Sequence, residues 1–368
     1  MGWYLPTGDL IYVRRDGVAV LTPFDLTTLT THGTAIPVLQ DVGLNLGVAD
    51  LAWSASGTLV YGTGSGGSDI VTLQRADRSG RMAVFDPAWT GQFNSFALAP
   101  DGRRVAVGVS TPGGGLDIWV KQLDRGPFTR LTFSGRDRRP AWSPDGREIA
   151  FVRDSASGGD VYARAVDGGG TERRLANLDR AIQEVSWSHD GRWILVRTET
   201  GAAGNGDILA LSTRGDSTVV RVATSAFSEL QPAFSPDGRW VAYVSNDAVT
   251  NEVYVRPFPN SDAGRWQVSN GGGGSPVWSA DGNELFFLNG ANRLIAAELG
   301  TGPGFSVKEL KPMFDATRSS YIGYHQSFEI AKDGQFVFLG PLSAVAARTV
   351  RLVQVDNWFA DLRAKLKQ

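Results

Sequence analysis

The sequence predicts an all-β fold built from a repeated hairpin, and residues 139–151 show the pattern most fully. There a short apolar run ends at Trp142, a turn follows, and a second apolar run begins. In the turn, Pro144 presets the first corner, Asp145 tolerates the next, and Gly146 takes the positive φ that restores strand register. The stretch is therefore interpreted as two antiparallel strands joined by a tight turn.

Copies of this turn recur along nearly the whole chain, and each is marked by one glycine. The eight marker glycines are Gly8, Gly57, Gly102, Gly146, Gly191, Gly238, Gly282 and Gly334. Successive markers are 44 residues apart at the closest, from 102 to 146, and 52 apart at the widest, from 282 to 334. Such a period suits four short strands with their turns, which is the unit of a β-propeller. We therefore predict eight four-stranded blades, with seven as the alternative.

The middle repeats each contain the two further strands that a four-stranded blade requires. Alternating β-branched and aromatic residues predict most of these strands. In the third, fourth and sixth repeats the pairs are 117–123 with 129–132, 161–165 with 173–175, and 252–258 with 265–268.

The first and last repeats deviate from the pattern, as expected where a repeat has an unusual neighbour. The first is a degenerate copy at residues 3–24, and the last is another at 328–355. Residues 357–368 have helical spacing and do not supply the last repeat with a fourth strand. Either the last blade has three strands, or the amino-terminal segment pairs there and reduces the count to seven.

Composition and charge exclude several classes of protein. Hydrophobic residues make up 42% of the chain, which is enough for a buried core and argues against a disordered protein. The 36 basic residues nearly balance the 38 acidic ones, which argues against a nucleic-acid partner. There is no cysteine, hence neither a disulfide nor a thiolate metal site. No apolar run reaches the ~18 residues of a membrane span, so we expect no membrane insertion by this chain. Residues 1–6 lack the features of a signal peptide.

We expect a single propeller domain across residues 1–368, with a helical tail at 357–368. We also expect the sequence to be part of a longer protein.

Three sets of residues invite a chemical interpretation that their spacing does not favour. The turn aspartates come about once per repeat, so each is expected to bond its own turn and not to share a calcium ion. Aromatic residues at the Trp142 position are expected to pack between blades and not to cage a ligand. His32, His189 and His325 are too scattered to indicate a metal centre, and we assign them structural or solvent-exposed positions. The sequence thus predicts neither a metal nor another cofactor.

The string Ser-Pro-Asp-Gly-Arg after an aromatic residue, at 142–147 and 234–239, resembles the TolB-like, WD-repeat-like propellers of bacteria. Four segments are also similar to the carboxy-terminal propeller of bacterial receptor-type serine/threonine kinases: 4–12, 231–243, 252–259 and 264–269. In that family a cytoplasmic kinase domain and a membrane helix precede the propeller. The resemblance therefore implies an extracytoplasmic sensor or interaction module. It implies no kinase activity, because the sequence has no His-Arg-Asp loop and no Asp-Phe-Gly.

The first strand of each repeat predicts a surface of polar side chains. Three positions before the Trp142 slot stand the residues that we call the polar row: Asp50, Ser95, Arg139, Glu184, Gln231, Ser275 and Ser327. One position before that slot the residues are small, as at Ala97, Ala141 and Ala233. Side chains two apart share a face of a strand. With this strand innermost, as in propellers generally, the polar row lines the mouth of the channel.

The polar row is our candidate binding surface, suited by its mixed charges to a polar or zwitterionic group. The alternative is a solvated rim of mutual ion pairs. Missing catalytic motifs, among them the Gly-x-Ser-x-Gly elbow of propeller hydrolases, favour a binding module that is not an enzyme. Its partner is expected to be a protein or a small polar ligand. The alternative function is a lactonase-like hydrolase with an axial metal, for which the sequence offers no convincing set of inward carboxylates.

Overall fold

The computed structural model of the protein describes residues 2–14, 18–40, 42–45, 48–63, 71–110, 115–123, 126–155, 158–178, 180–200, 205–317, 325–340 and 351–365. Nearly all of its regular elements are strands. The first seventeen are β1 (Gly2–Tyr4), β2 (Asp9–Val13), β3 (Ala19–Asp25), β4 (Thr30–Thr31), β5 (Ile36–Leu39), β6 (Leu44–Asn45), β7 (Val48–Ala49), β8 (Leu51–Trp53), β9 (Leu59–Thr63), β10 (Thr72–Ala76), β11 (Met82–Val84), β12 (Phe93–Leu98), β13 (Arg104–Ser110), β14 (Leu116–Gln122), β15 (Phe128–Arg130), β16 (Asp137–Trp142) and β17 (Glu148–Ser155).

The remaining strands continue to the carboxy-terminal end of the chain. They are β18 (Gly158–Ala165), β19 (Arg173–Ala176), β20 (Ala181–Trp187), β21 (Trp193–Thr200), β22 (Asn205–Ser212), β23 (Val219–Ala223), β24 (Glu229–Phe234), β25 (Trp240–Ser245), β26 (Glu252–Pro257), β27 (Trp266–Gln267), β28 (Gly273–Trp278), β29 (Glu284–Asn289), β30 (Arg293–Leu299), β31 (Val307–Asp315), β32 (Phe328–Ile330), β33 (Phe336–Gly340) and β34 (Arg351–Val355). A 3-10 turn lies at Ser261–Ala263, and one α-helix, α1 (Trp358–Lys365), follows β34.

The prediction of an all-β propeller fold is confirmed. The described residues form eight antiparallel sheets of at least three strands, one for each predicted repeat, and six of these have four strands. The chain divides into two compact units, the first being Met1–Asp69 with Ser343–Gln368 and the second Ile70–Leu342. The single domain expected from the sequence stays a prediction.

The second unit contains the six four-stranded sheets of the described chain. Five use four consecutive strands each: β12–β15, β16–β19, β20–β23, β24–β27 and β28–β31. The sixth is ordered β32-β33-β10-β11 and joins two distant parts of the sequence. An apolar cluster lies between each sheet and the next, and one of these clusters joins the sixth sheet back to β12–β15. The six sheets therefore close a ring within this unit.

The first unit contains a five-stranded sheet, in which β5 and β4 both pair with β3, and a three-stranded sheet ordered β34-β9-β8. Its buried core includes Leu5, Ile11 and Leu59 together with Trp358 and Leu362 of α1. The short carboxy-terminal helix is therefore confirmed, although residues 366–368 lie outside the described chain. Among the described residues, no helix has the length and apolar character that crossing a membrane requires.

The second and eighth repeats share their strands in a way that the sequence did not indicate. From the second repeat, β9 pairs with both β8 and β34, whereas β10 and β11 complete the sheet begun by β32 and β33. An early segment thus pairs with the last repeat, but it is residues 72–84 and not the start of the chain. The number of sheets therefore stays eight. The exchange covers edges of β9 and β33 that would otherwise be unpaired.

The tight turns have the predicted conformation. All eight marker glycines have positive φ, from 67° at Gly146 to 91° at Gly8. Between β16 and β17, Asp145 Oδ1 accepts hydrogen bonds from Ser143 Oγ (2.6 Å) and Arg147 N (3.1 Å). The same pair of bonds recurs at Asp190, Asp237 and Asp281. These aspartates therefore bond their own turns, as the spacing predicts.

Tryptophans of the predicted slot pack between sheets. Trp142 is buried with Ala97 and other residues of the preceding sheet, and its Nε1 donates to Ala97 O (2.9 Å). Trp278 repeats the arrangement three sheets further around the ring, with Nε1 donating to Ala233 O (3.1 Å). The packing role predicted for these rings is confirmed.

Candidate functional site

Six members of the polar row lie in the second unit, each at or beside the first strand of a different sheet. In ring order they are Ser95 on β12, Arg139 on β16, Glu184 on β20, Gln231 on β24, Ser275 on β28 and Ser327 just before β32. Gln231, Ser275 and Ser327 are at most 3% exposed. Asp50 belongs to the first unit and is exposed, and its place in the predicted surface stays a prediction.

A β-bulge interrupts five of these strands at the polar row. The register shifts between Arg138 and Ala141 in β16, and β12, β20, β24 and β28 show corresponding shifts. The simple alternation from which the sequence placed the row is therefore broken at that point. Three row members, each directly before a proline, have left-handed backbone: Arg139 (φ 58°), Gln231 (52°) and Ser275 (53°). Bulges re-aim side chains, and non-glycine residues with positive φ mark strain that clusters at functional sites.

Hydrogen bonds link the row from one sheet to the next. Gln231 N donates to Glu184 Oε2 (3.1 Å), and Gln231 Oε1 accepts from Ser275 N (2.6 Å). Ser275 Oγ in turn accepts from Ser327 N (3.1 Å). These bonds join four neighbouring sheets, so four members of the row form one buried polar belt and are not separate rim side chains.

His325 reaches across the ring to a residue of the sheet opposite its own. It precedes β32, and the sheet of β32 is the third neighbour of the sheet of β20 in either direction around the ring. Nevertheless its Nδ1 lies 2.8 Å from Glu184 Oε1 on β20. Its main-chain oxygen accepts a hydrogen bond from Gln231 Nε2 (2.7 Å). The residue therefore occupies the side of the ring lined by β20, β24 and β28.

Charges around Glu184 fix its ionisation. Burial raises the pKa of Glu184, but His325, Arg197 and Arg139 together outweigh burial and leave the pKa at about 2. Burial lowers the pKa of His325 below its ordinary 6.5, and the Glu184 carboxylate opposes that change. Because an ionised carboxylate only accepts, Nδ1–H of His325 is the donor in their hydrogen bond. Arg197 is a second partner of Glu184, with Nε 3.1 Å from Oε2.

Arg139 differs from the other charged residues of the row, because part of its guanidinium has no partner. Nη1 donates to Asn94 O (2.8 Å). Arg139 is partly exposed as a whole, yet its Nε is buried and finds no hydrogen-bond acceptor among the described residues. Burial lowers the pKa of Arg139 to about 9, with Arg138 and Arg197 adding to the effect and Glu184 opposing it. A buried cation is thus left only partly compensated at this position.

The arrangement offers buried donors and acceptors that suit the binding of polar groups. The hydroxyls of Ser275 and Ser327 lie 3.5 Å and 3.4 Å from the main-chain oxygen of His325, and these bonds leave the imidazole ring uninvolved. In the part of the chain that the structure describes, no three His, Asp or Glu side chains are placed to hold a metal ion.

Sequence reasoning missed His325 and Arg197 as parts of the site. Arg197 could have been found, because pairing of the two strands of the fifth hairpin sets it opposite Glu184. His325 gave no such signal, since its contact with Glu184 spans 141 residues of sequence and the width of a ring.

A cavity of about 340 Å³ lies at the other, turn end of sheets β20–β23 and β24–β27. Its aromatic lining is Trp193, Phe234 and Phe258, and three aspartates also face it, Asp190, Asp216 and Asp237. Asp190 and Asp237 are each held by the arginine two residues later, at 2.5 Å and 2.6 Å. Because these carboxylates are already paired, the polar row remains the stronger candidate site.

Comparison with known proteins supports the fold. Residues 52–204 match the family model described as the TolB β-propeller domain. The crystal structure of TolB from Acinetobacter baumannii is similar over 82% of this chain and 81% of its own, with a TM-score of 0.51 and 17% identity. A chain in the crystal structure of a nidogen/laminin complex is similar over 66% of this chain and 93% of its own, with a TM-score of 0.50 and 12% identity. The chain therefore has a TolB-like propeller fold.

One curated relative carries an enzyme name. The "Uncharacterized peptidase YuxL" of Bacillus subtilis is 33% identical over 110 residues, which are 28% of this chain and 17% of that protein. The chain thus matches less than a fifth of that relative's length.

Proposed function

We propose that this chain is a non-catalytic propeller that binds a protein or a small polar ligand at the polar row. One observation carries the proposal: buried polar side chains and strained backbone are concentrated together where the first strands of the ring begin. Burying polar groups and holding non-glycine residues at positive φ both cost stability, and such costs collect where a surface has a task. The TolB-like fold supports a binding role, and a propeller chain of this fold occurs in a complex of two proteins.

The test is a binding screen with peptides and small polar compounds, followed by a double variant. We expect Arg139→Ala with Glu184→Gln to weaken binding of any compound found in the screen at least about tenfold, because the variant removes both charges that the row has in the second unit. Arg147→Ala with Glu309→Gln is the matched control, since these exposed charges lie outside both the row and the turn-end cavity. Unchanged affinity in a folded double variant would leave the solvated-rim interpretation instead.

The context of the propeller is a second proposal. We propose that it serves as the extracytoplasmic sensor of a receptor-type serine/threonine kinase. The kinase-like segments at 231–243, 252–259 and 264–269 support this, and they form the strands of one sheet, β24–β27. The full reading frame tests it: a kinase domain and a membrane helix before this segment are expected.

The peptidase-named relative favours a second candidate, the propeller of a serine hydrolase. A hydrolase domain with a Gly-x-Ser-x-Gly elbow in the same reading frame would support that candidate and contradict the kinase context.

A further inference from the structure

The guanidinium of Arg139 presents a pair of parallel donors that the protein does not use. Nη1 is taken by Asn94 O, whereas neither Nε nor Nη2 has an acceptor among the described residues. Nε–H and one Nη2–H point the same way from the planar group, and together they match the two oxygens of a carboxylate. The unused edge is therefore the one suited to bidentate recognition.

The surroundings of Arg139 select the charge of the ligand. Arg138 is already paired with Asp154 at 2.7 Å, and Arg197 with Glu184 at 3.1 Å, so Arg139 supplies the uncompensated positive charge. The ionised Glu184 lies near enough to influence the pKa of Arg139, and it opposes a doubly charged anion such as a phosphate monoester.

The partners of Glu184 also narrow the ligand class. One carboxylate oxygen of Glu184 is bonded to His325 and the other to Arg197 and Gln231 N. Both oxygens therefore have partners within the protein, and Glu184 does not need a ligand ammonium group to compensate its charge. The zwitterion expected from the sequence is therefore less suitable than a simple monoanion.

Because Arg139 Nε is buried, a ligand reaches this edge only where neighbouring side chains move aside. His325 occupies the side lined by β20, β24 and β28, whereas Arg139 and its anchor Asn94 lie on β16 and β12. Asn94 Oδ1 accepts a hydrogen bond from Ser95 Oγ (2.8 Å), and no described residue accepts from Asn94 Nδ2. A second donor therefore stands on the residue that anchors the arginine.

We propose that Arg139 is a carboxylate-binding site, in which Nε and Nη2 hold the two oxygens of a monoanionic ligand. The inference rests on the proposed binding function and specifies its ligand class. A free carboxylic acid and the carboxy terminus of a peptide share this chemistry.

The experiment follows the Nε–H signal of Arg139 by ¹H–¹⁵N NMR while acetate, benzoate or short peptides are added to the protein. Arg139→Lys identifies the signal by its loss. We expect a saturable shift with carboxylates, and none with acetamide or benzamide at equal concentration. Peptides with free and amidated carboxy termini distinguish a peptide terminus from a free carboxylic acid as the ligand. A shift with the free peptide but not with the amidated one identifies a peptide carboxy terminus, and a larger shift with benzoate than with the free peptide identifies a small acid.

Affinity measurements supply the second readout. Arg139→Lys keeps the positive charge but loses the two parallel N–H donors of the guanidinium, and we expect binding to be about tenfold weaker or more. The control Arg147→Lys, at an exposed position outside both candidate sites, should bind as the wild type does. Absence of a saturable shift with every carboxylate overturns the inference. If compounds found in the peptide and polar-compound screen still lose affinity in the double variant, the proposed binding function stands although the carboxylate site is wrong. If their affinity is unchanged, the proposed binding function and the carboxylate site are both wrong.

Discussion

Glu329 gives the sharpest test of how this ring is held together. It lies on β32, where the corresponding positions in other sheets are small residues such as Ala97, Ala141 and Ala233. Its Oε2 accepts a hydrogen bond from Leu98 N (2.7 Å), which links the sixth sheet to β12. Burial raises the pKa of this carboxyl to about 7, and the bond from Leu98 only partly opposes the change.

The effect of Glu329 on the free energy of unfolding follows from the difference between its pKa in the folded and unfolded states. A pKa raised from 4.5 to about 7 corresponds to about 3 kcal/mol in the free energy of unfolding, at about 1.4 kcal/mol for each pKa unit. We take this as an upper bound, because the residue keeps some accessible surface. The folded state binds the proton more tightly, so the stabilisation is fully present below pH 4.5 and is lost as pH rises through about 7.

Glu329→Gln removes the ionisation and keeps an oxygen that accepts from Leu98 N. Relative to the wild type, the variant should gain up to about 3 kcal/mol between pH 4.5 and pH 8.5. Urea unfolding followed by tryptophan fluorescence measures the difference at each pH. Glu309→Gln, at an exposed position, is the control and should follow the wild-type profile. Parallel profiles for wild type and Glu329→Gln would refute the buried, proton-binding carboxyl.

Three further predictions concern the turns, the slot tryptophans and catalysis. Gly238→Val should lower the free energy of unfolding by about 1–3 kcal/mol, because Gly238 has φ 70° with open space around it, whereas Gly304→Val in equally open space should cost less; equal urea midpoints would contradict the strained turn. Trp142→Phe should lower the free energy of unfolding more than Trp187→Phe in the same assay, since Trp142 Nε1 donates to Ala97 O whereas Trp187 Nε1 is buried and has no acceptor among the described residues; the reverse order would show that the bond contributes nothing. Purified protein should hydrolyse neither ATP nor ester, lactone or peptide substrates, and turnover abolished by a point change in this chain would defeat the binding-module account.

Local features of the fold could be predicted from the sequence because each is decided within a few residues. A glycine such as Gly146 takes a conformation that other residues avoid, and Asp145 bonds amides two positions away. The glycine conformation repeats in all eight marker turns and the aspartate bond in six of them, so the number of sheets could be counted in advance. The packing of Trp142 was predictable for a similar reason, since a large ring at a fixed repeat position must be buried somewhere.

Distant pairings could not be predicted in the same way. Nothing local in β33 shows that Phe336 will pair with Ala76, because apolar strand edges accept many partners and tertiary contacts choose among them. Six members of the polar row lie at or beside the first strands, but the alternation argument that placed their side chains fails at the bulge beside Pro140. His325 joins the row only because the chain before β32 enters across the ring.

Hydrogen exchange measured by mass spectrometry, with and without the tightest-binding compound of the screen, tests the central claim most directly. The account predicts that protection appears in peptides containing the row and its neighbours, around residues 94–95, 139–141 and 184, and at 231 and 325–327. Arg139→Ala with Glu184→Gln should abolish that protection at the same compound concentration. Protection confined to the turn end, around Asp190, Asp216 and Asp237, would place the ligand in the opposite cavity and contradict the polar row as the binding surface.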